Sequence, residues 1–113
     1  MEIHYSQLDN GIRLIKLSGR LDIFGTTKIE SRLNKYTSGD TLLIILDMAE
    51  VDFIASIGIR MLVMKAKSVG NHGGKIVILH PLPDVKEVFE LTGILKVIPV
   101  YSHLEEAMKY LLT

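Results

Sequence analysis

The sequence contains no cysteine among its 113 residues. That excludes a disulfide scaffold and thiol chemistry, and makes a reducing, cytoplasmic setting the expectation. Neither sign of charge is in excess, since 13 Lys and Arg are balanced by 13 Asp and Glu. No global field therefore draws the chain to nucleic acid or to an anionic membrane, and direct contact with either is not expected. Long apolar runs are missing too. Segments such as "LLIIL" at 42–46 fall far short of the roughly 20 residues that span a bilayer. The opening "MEIHYSQLDNG" lacks the basic-then-apolar pattern of a secretory signal. No repeat, low-complexity tract or linker interrupts the chain. What is present suffices for a core: 48% of the residues are apolar, and the length suits one domain over residues 1–113.

Two β-favouring stretches, "IHYSQL" and "IRLIKLSG", flank Asp9-Asn10-Gly11, and Asn-Gly between such stretches predicts a hairpin. The second stretch breaks strict alternation at Ile12, Leu14, Ile15 and Leu17, as a strand buried on both faces does. Residues 23–37 place Ile29, Leu33 and Tyr36 at helical spacing. "TLLIILDM" at 41–48 reads as a central strand covered on both faces. Residues 56–69 put Ile59, Leu62, Val63, Ala66 and Val69 on one helical face, with Gly70 in the stop position. "KIVILH" at 75–80 is a further buried strand. After Pro81 and Pro83, Asp84 and Glu87 form a capping-box pattern for a helix closed by Gly93. "KVIPV" at 96–100 reads as a short edge strand, because of Pro99. Ser102 and Glu105 form a second capping-box pattern, for the last helix. The order β-β-α-β-α-β-α-β-α defines an α/β domain: a mixed, mostly parallel sheet with an N-terminal hairpin and four helices.

Catalytic patterns fail one by one. A nucleophile elbow needs Gly-x-Ser-x-Gly, but the window Ile54-Ala55-Ser56-Ile57-Gly58 lacks the first glycine. His72, His80 and His103 have no acid placed to complete a Ser, Asp or Glu, His order. "GNHGGK" at 70–75 lacks the P-loop spacing and its Ser or Thr, and it follows a helix where a P-loop follows a strand. His72 and His80 have no carboxylate or thiol at ligand spacing, so both read as surface or edge residues and no metal site is expected. Met61 and Met64 read as core filler. The chain is therefore read as a binding protein, not an enzyme, with no catalytic residue and no cofactor.

Ser56 carries the functional question. As the N-cap of the helix that follows, its hydroxyl would accept from a first-turn N–H, a contact worth about 0.5–2 kcal/mol. The same position suits a phosphate, because the positive end of the helix and its unpaired N–H groups favour a dianion. The two roles are compatible, and spacing alone does not choose between them.

Three segments carry a resemblance. They are "LSGRLDIFGTTKIESRL", "LLIILDMAEVDFIASIGIRML" and "GGKIVILHPLPDVKEVFELTGILKVIPVYSHLEEAM". In order and spacing they resemble the STAS domain of the bacterial anti-sigma factor antagonists. The second holds the counterpart of the family's Asp-Ser-Ser/Thr-Gly-Leu motif. The resemblance implies that Ser56 is the serine phosphorylated by a partner kinase, that Gly58 is the motif glycine and that Ile59 replaces its leucine. It places Asp22 on the family's first-turn aspartate, beside the phosphorylation site. Ala55 and Ile57 stand where the motif has Asp and a second Ser or Thr, which makes the patch Ile54, Ala55, Ile57 more apolar, as suits docking. The partner-facing set implied is Asp22, Ile54, Ala55, Ile57, Gly58 and Arg60.

The function implied is a switch in binding. The unmodified protein binds a serine-kinase-type anti-sigma factor and frees the sigma factor. The kinase then phosphorylates the serine with ATP and Mg²⁺ and releases the antagonist, which a PP2C-like phosphatase resets. A homodimer is open under this reading. The alternative is an unphosphorylated STAS adaptor, or a subunit of a signalling assembly or lipid transporter, with Ser56 only a cap.

Overall fold

The Asn10-Gly11 signal forms its hairpin. In the computed structural model, which describes residues 1–113, β1 (Glu2–Gln7) pairs antiparallel with β2 (Arg13–Leu21). Gly11 takes φ +84° in the turn, and Asn10 Oδ1 accepts from the Ile12 amide at 3.2 Å. The expectation that β2 is covered on both faces holds for its first half. Ile12 and Leu14 pack on one side of the sheet and Ile15 and Leu17 on the other.

Four parallel strands follow from three crossovers. α1 (Ile23–Thr37) leads to β3 (Leu43–Ile54), α2 (Ser56–Asn71) to β4 (Lys75–Leu79), and α3 (Pro83–Thr92) to β5 (Val100–Tyr101). The sheet order is β1-β2-β3-β4-β5, antiparallel only at the first pair. The larger core joins Leu33 of α1, Leu62 of α2 and Phe89 of α3 to one sheet face. The other face is covered by α4 (Leu104–Leu111) through Ala107 and Leu111. The architecture is the expected α/β domain with a mixed, mostly parallel sheet and four helices.

Several boundaries differ from the sequence reading, each for a local reason. β3 continues six residues past Met48, its pairing with β2 re-phased by irregularities at Lys16/Ser18 and Gly19/Arg20. This run breaks regular alternation, and a bulge re-aims the strand beyond it. α2 ends later than Gly70: Gly73 takes φ +78°, and the Gly74 amide returns to Val69 O at 2.9 Å. Met61 fills core as expected, but Met64 is 62% exposed. Neither capping box forms. α3 starts from Leu82 with Pro83 in its first turn, so Asp84 lies inside the helix, and α4 starts from His103, not Ser102. Pro83 needs no N–H partner at that position and brings its own helical φ. Gly93 does close α3, at φ +76°. "KVIPV" is mostly not strand: Ile94–Lys96 form a 3₁₀ turn, and β5 is confined to Val100 and Tyr101 at the sheet edge, just after Pro99.

Candidate functional site

β2 and β3 run parallel and stop together, Leu21 paired with Ile54. The Ala55 amide donates to Leu21 O at 3.0 Å, so the turn into α2 is pinned to the end of β2. Asp22 follows Leu21 and begins α1. Its Oδ1 accepts from the Gly25 amide at 2.8 Å, making it the N-cap of α1. That bond, helped by the nearby Arg20, holds the Asp22 carboxyl below its ordinary range. Arg20 Nε lies 3.7 Å from Asp22 Oδ2, and its guanidinium sits 4.3 Å from the centroid of the Phe53 ring. Asp22 and Ser56 thus start neighbouring helices at the C-terminal ends of the paired inner strands β2 and β3.

Ser56 is not a cap. The N-cap of α2 is Ala55, in extended backbone at φ −97°, and no side chain caps that helix. Ser56 is its first helical residue and is exposed. The sequence reading of the hydroxyl as a capping acceptor is corrected here. The register of β3 puts the helix start one residue earlier than the Ser-first pattern implies, so the first-turn N–H groups keep no side-chain partner.

The structure divides the other expected site residues. Ile54 is 6% exposed, and Gly58 is buried. A Cβ at Gly58 would lie 3.0 Å from Leu21 O and 2.9 Å from Ile54 Cγ1, so glycine lets α2 rest on the ends of β2 and β3. These two residues shape the site from beneath. Asp22, Ala55 and Ile57 are half-buried and Arg60 is exposed, so these four reach the surface with Ser56.

Ser56 stands near two shallow grooves. The α2/α3 cleft, of about 350 Å³, is lined by Ile54, Ala55, Ser56, Ile59, Val88 and Thr92. The α1/α2 groove, of about 330 Å³, takes Ile57, Arg60 and Met64 from α2 and Glu30 and Asn34 from α1. Sequence reasoning missed Ile23 and Phe24, 64% and 83% exposed in the first turn of α1. Their signal was available: both are large apolar residues out of phase with the buried face of Ile29 and Leu33. Adjacent exposed apolar side chains of this size suit an interaction surface.

Known proteins resemble this chain in sequence or in fold. A Bordetella bronchiseptica protein, BtrV, described as a candidate anti-sigma factor antagonist, is 28% identical over 107 residues, which cover 95% of this chain and 91% of the relative. The crystal structure of an anti-sigma factor antagonist from Mycobacterium paratuberculosis superposes with a TM-score of 0.88 at 20% identity, covering 99% of this chain and 94% of that one. The anti-sigma factor antagonist SpoIIAA, solved in its unphosphorylated form, superposes with a TM-score of 0.75 at 20% identity, covering 96% of this chain and 95% of that one. These two structural likenesses are likenesses of fold. The STAS domain family profile matches residues 6–107, a span that includes all of β2 to β5, α1 to α3 and the strand ends that lead into Asp22 and Ser56. This chain belongs to the STAS domain family.

Proposed function

We propose that this protein is an anti-sigma factor antagonist whose binding is switched by phosphorylation of Ser56. The observation that carries the reading is the state of Ser56: an exposed hydroxyl at the start of a 16-residue helix with no capping side chain. A kinase can approach it, and the first-turn N–H groups of α2 favour the phosphate that results. The unmodified protein binds a serine-kinase-type anti-sigma factor through the surface around Ser56. Ile23, Phe24, Ala55 and Ile57 supply apolar contact, with Asp22 and Arg60 as the charged groups. Ile54 and Gly58 contribute by shaping the strand ends on which α2 rests.

The switch follows from charge. Phosphate adds about −1.5 to −2 units beside an apolar interface, bringing a desolvation cost and repulsion of partner carboxylates. The chain itself catalyses nothing in this scheme; the partner transfers the phosphate, and a PP2C-like phosphatase removes it. Names of relatives support the reading, and SpoIIAA has been solved in a phosphorylated as well as an unphosphorylated form. No helix of the chain is long and apolar enough to cross a membrane. The test is incubation with the serine-kinase-type anti-sigma factor of the same genome and ATP, followed by mass spectrometry. One phosphate on Ser56 is expected. Normal partner binding with Ser56 unmodified rejects the switch.

A further inference from the structure

The two grooves near Ser56 differ in charge. The α2/α3 cleft is lined by no ionisable side chain. The α1/α2 groove holds three, Glu30, Arg60 and Lys65, around an apolar floor of Ile57, Met61 and Met64. One of the three is engaged within the chain. Lys65 Nζ donates to Asn34 Oδ1 across the groove, and burial lowers its pKa while the Glu30 carboxylate acts to raise it. Lys65 therefore ties α2 to α1. Arg60, like Glu30, is exposed and belongs to none of the chain's ion pairs, and unlike Lys65 it makes no side-chain hydrogen bond, which leaves it the one uncommitted cation of the groove. An unpaired guanidinium thus stands beside Ile57 and beside Met64, a large apolar side chain that is 62% exposed. Methionine adapts to irregular apolar partners, and Arg pairs carboxylates through two parallel N–H donors.

Arg60 also has a second suitor within the chain. It lies four residues after Ser56, one turn along the same side of α2. An acid placed N-terminal to a cation at that spacing is the favourable orientation of a helical ion pair. In unmodified protein the serine offers no charge and Arg60 is free for a partner.

The geometry points to Arg60 as a cation contested between the partner and phosphorylated Ser56. In the unmodified protein the α1/α2 groove takes an amphipathic partner segment that is apolar on one face and acidic on its flank. An apolar side chain of that segment packs on Ile57 and Met64, and an Asp or Glu pairs with Arg60. Phosphate on Ser56 draws Arg60 to itself and repels the acidic flank, so the same modification removes one contact and opposes the next. The regulatory half rests on the switch proposed above; the groove's preference for an acidic segment does not.

Two measurements on the full chain test this without a kinase. Isotope-labelled protein is titrated with a synthetic amphipathic helix of Leu and Glu, and with the same peptide carrying Lys for Glu, while amide shifts are followed by NMR. The Leu/Glu peptide is expected to perturb residues 57–65 and 30–34, to bind at least about tenfold tighter than the Leu/Lys peptide, and to lose that advantage in Arg60→Glu. Equal binding of the two peptides, or perturbation elsewhere, overturns the groove assignment. In the second measurement phosphoserine is installed at position 56 during translation, and its phosphorus resonance is titrated with pH. Arg60 is expected to lower the second phosphate pKa, and Arg60→Gln to return it toward the ordinary value near 6. An identical titration in both proteins overturns the capture of Arg60. Failure of Ser56 to accept phosphate from a kinase leaves both results standing, so the switch and the groove are judged separately.

Discussion

The Ala55 amide donates to the Leu21 carbonyl at 3.0 Å, and that same carbonyl lies 3.0 Å from where a Cβ on Gly58 would sit. One backbone oxygen at the end of β2 therefore receives the turn into α2 and limits how close the helix can come. Gly58→Ala is expected to destabilise the fold by about 1–3 kcal/mol through overpacking, although alanine ordinarily favours a helix over glycine by about 1 kcal/mol. Denaturant unfolding measures the sign. A stabilised variant shows that α2 is not held by this contact.

The helix start offers a second comparison. Because Ala55, not Ser56, occupies the N-cap, Ser56→Ala is expected to change stability by less than about 0.5 kcal/mol. Ala55→Asp places an acceptor at the cap position and is expected to add about 1 kcal/mol. A capping serine gives the opposite pattern: a loss of about 0.5–2 kcal/mol on Ser56→Ala. Thermal or denaturant midpoints of the two variants decide between them.

Asp22 gives a pH signature. Its carboxyl is held below the ordinary 3.8, chiefly by the Gly25 amide. A depressed folded-state pKa means that the unfolded chain binds the proton more readily, so the stabilisation is complete above the unfolded value and is lost as pH falls through the folded one. Asp22→Asn keeps a capping oxygen but cannot titrate. Stability of the natural protein relative to Asp22→Asn is therefore expected to stay constant above about pH 5 and to fall below about pH 4. Parallel curves through that window contradict a charged cap.

Phe24 separates binding from folding. At 83% exposure it contributes little to the core, so Phe24→Ala is expected to shift stability by less than about 0.5 kcal/mol. An aromatic anchor at an interface commonly costs 2 kcal/mol or more on truncation, about 30-fold in affinity. Calorimetric titration of the anti-sigma factor with this variant should show that loss. Unchanged affinity places the interface away from the first turn of α1.

The hairpin, the central strands, the buried faces of α1 and α2 and the end of α3 were legible because they are periodic or bounded by strong signals such as Asn10-Gly11 and Gly93. Asp84 and Ser102 misled because a capping pattern states only which side chain could accept, not where the preceding strand delivers the chain. Ser56 misled for the same reason, since the extended run of β3 to Ile54 fixes the first turn of α2. The cap role of Asp22 and the exposure of Ile23 and Phe24 depend on how α1 meets β2, where a Cβ on Gly25 would lie 1.9 Å from Arg20 O. That backbone closeness, between residues only five apart, leaves no periodic trace, whereas the exposure of Ile23 and Phe24 does, since both fall out of phase with Ile29 and Leu33. The likeness to the STAS family, in contrast, lay in the order of whole segments and was readable directly.

The central claim is that phosphate on Ser56 weakens partner binding. Its most direct test is the affinity of the serine-kinase-type anti-sigma factor for unmodified protein and for protein carrying phosphoserine at position 56, measured by calorimetry at fixed salt. The account predicts that the phosphorylated form binds about 5- to 150-fold more weakly, as a coupling of about 1–3 kcal/mol requires. Equal affinities, or tighter binding of the phosphorylated form, contradict it.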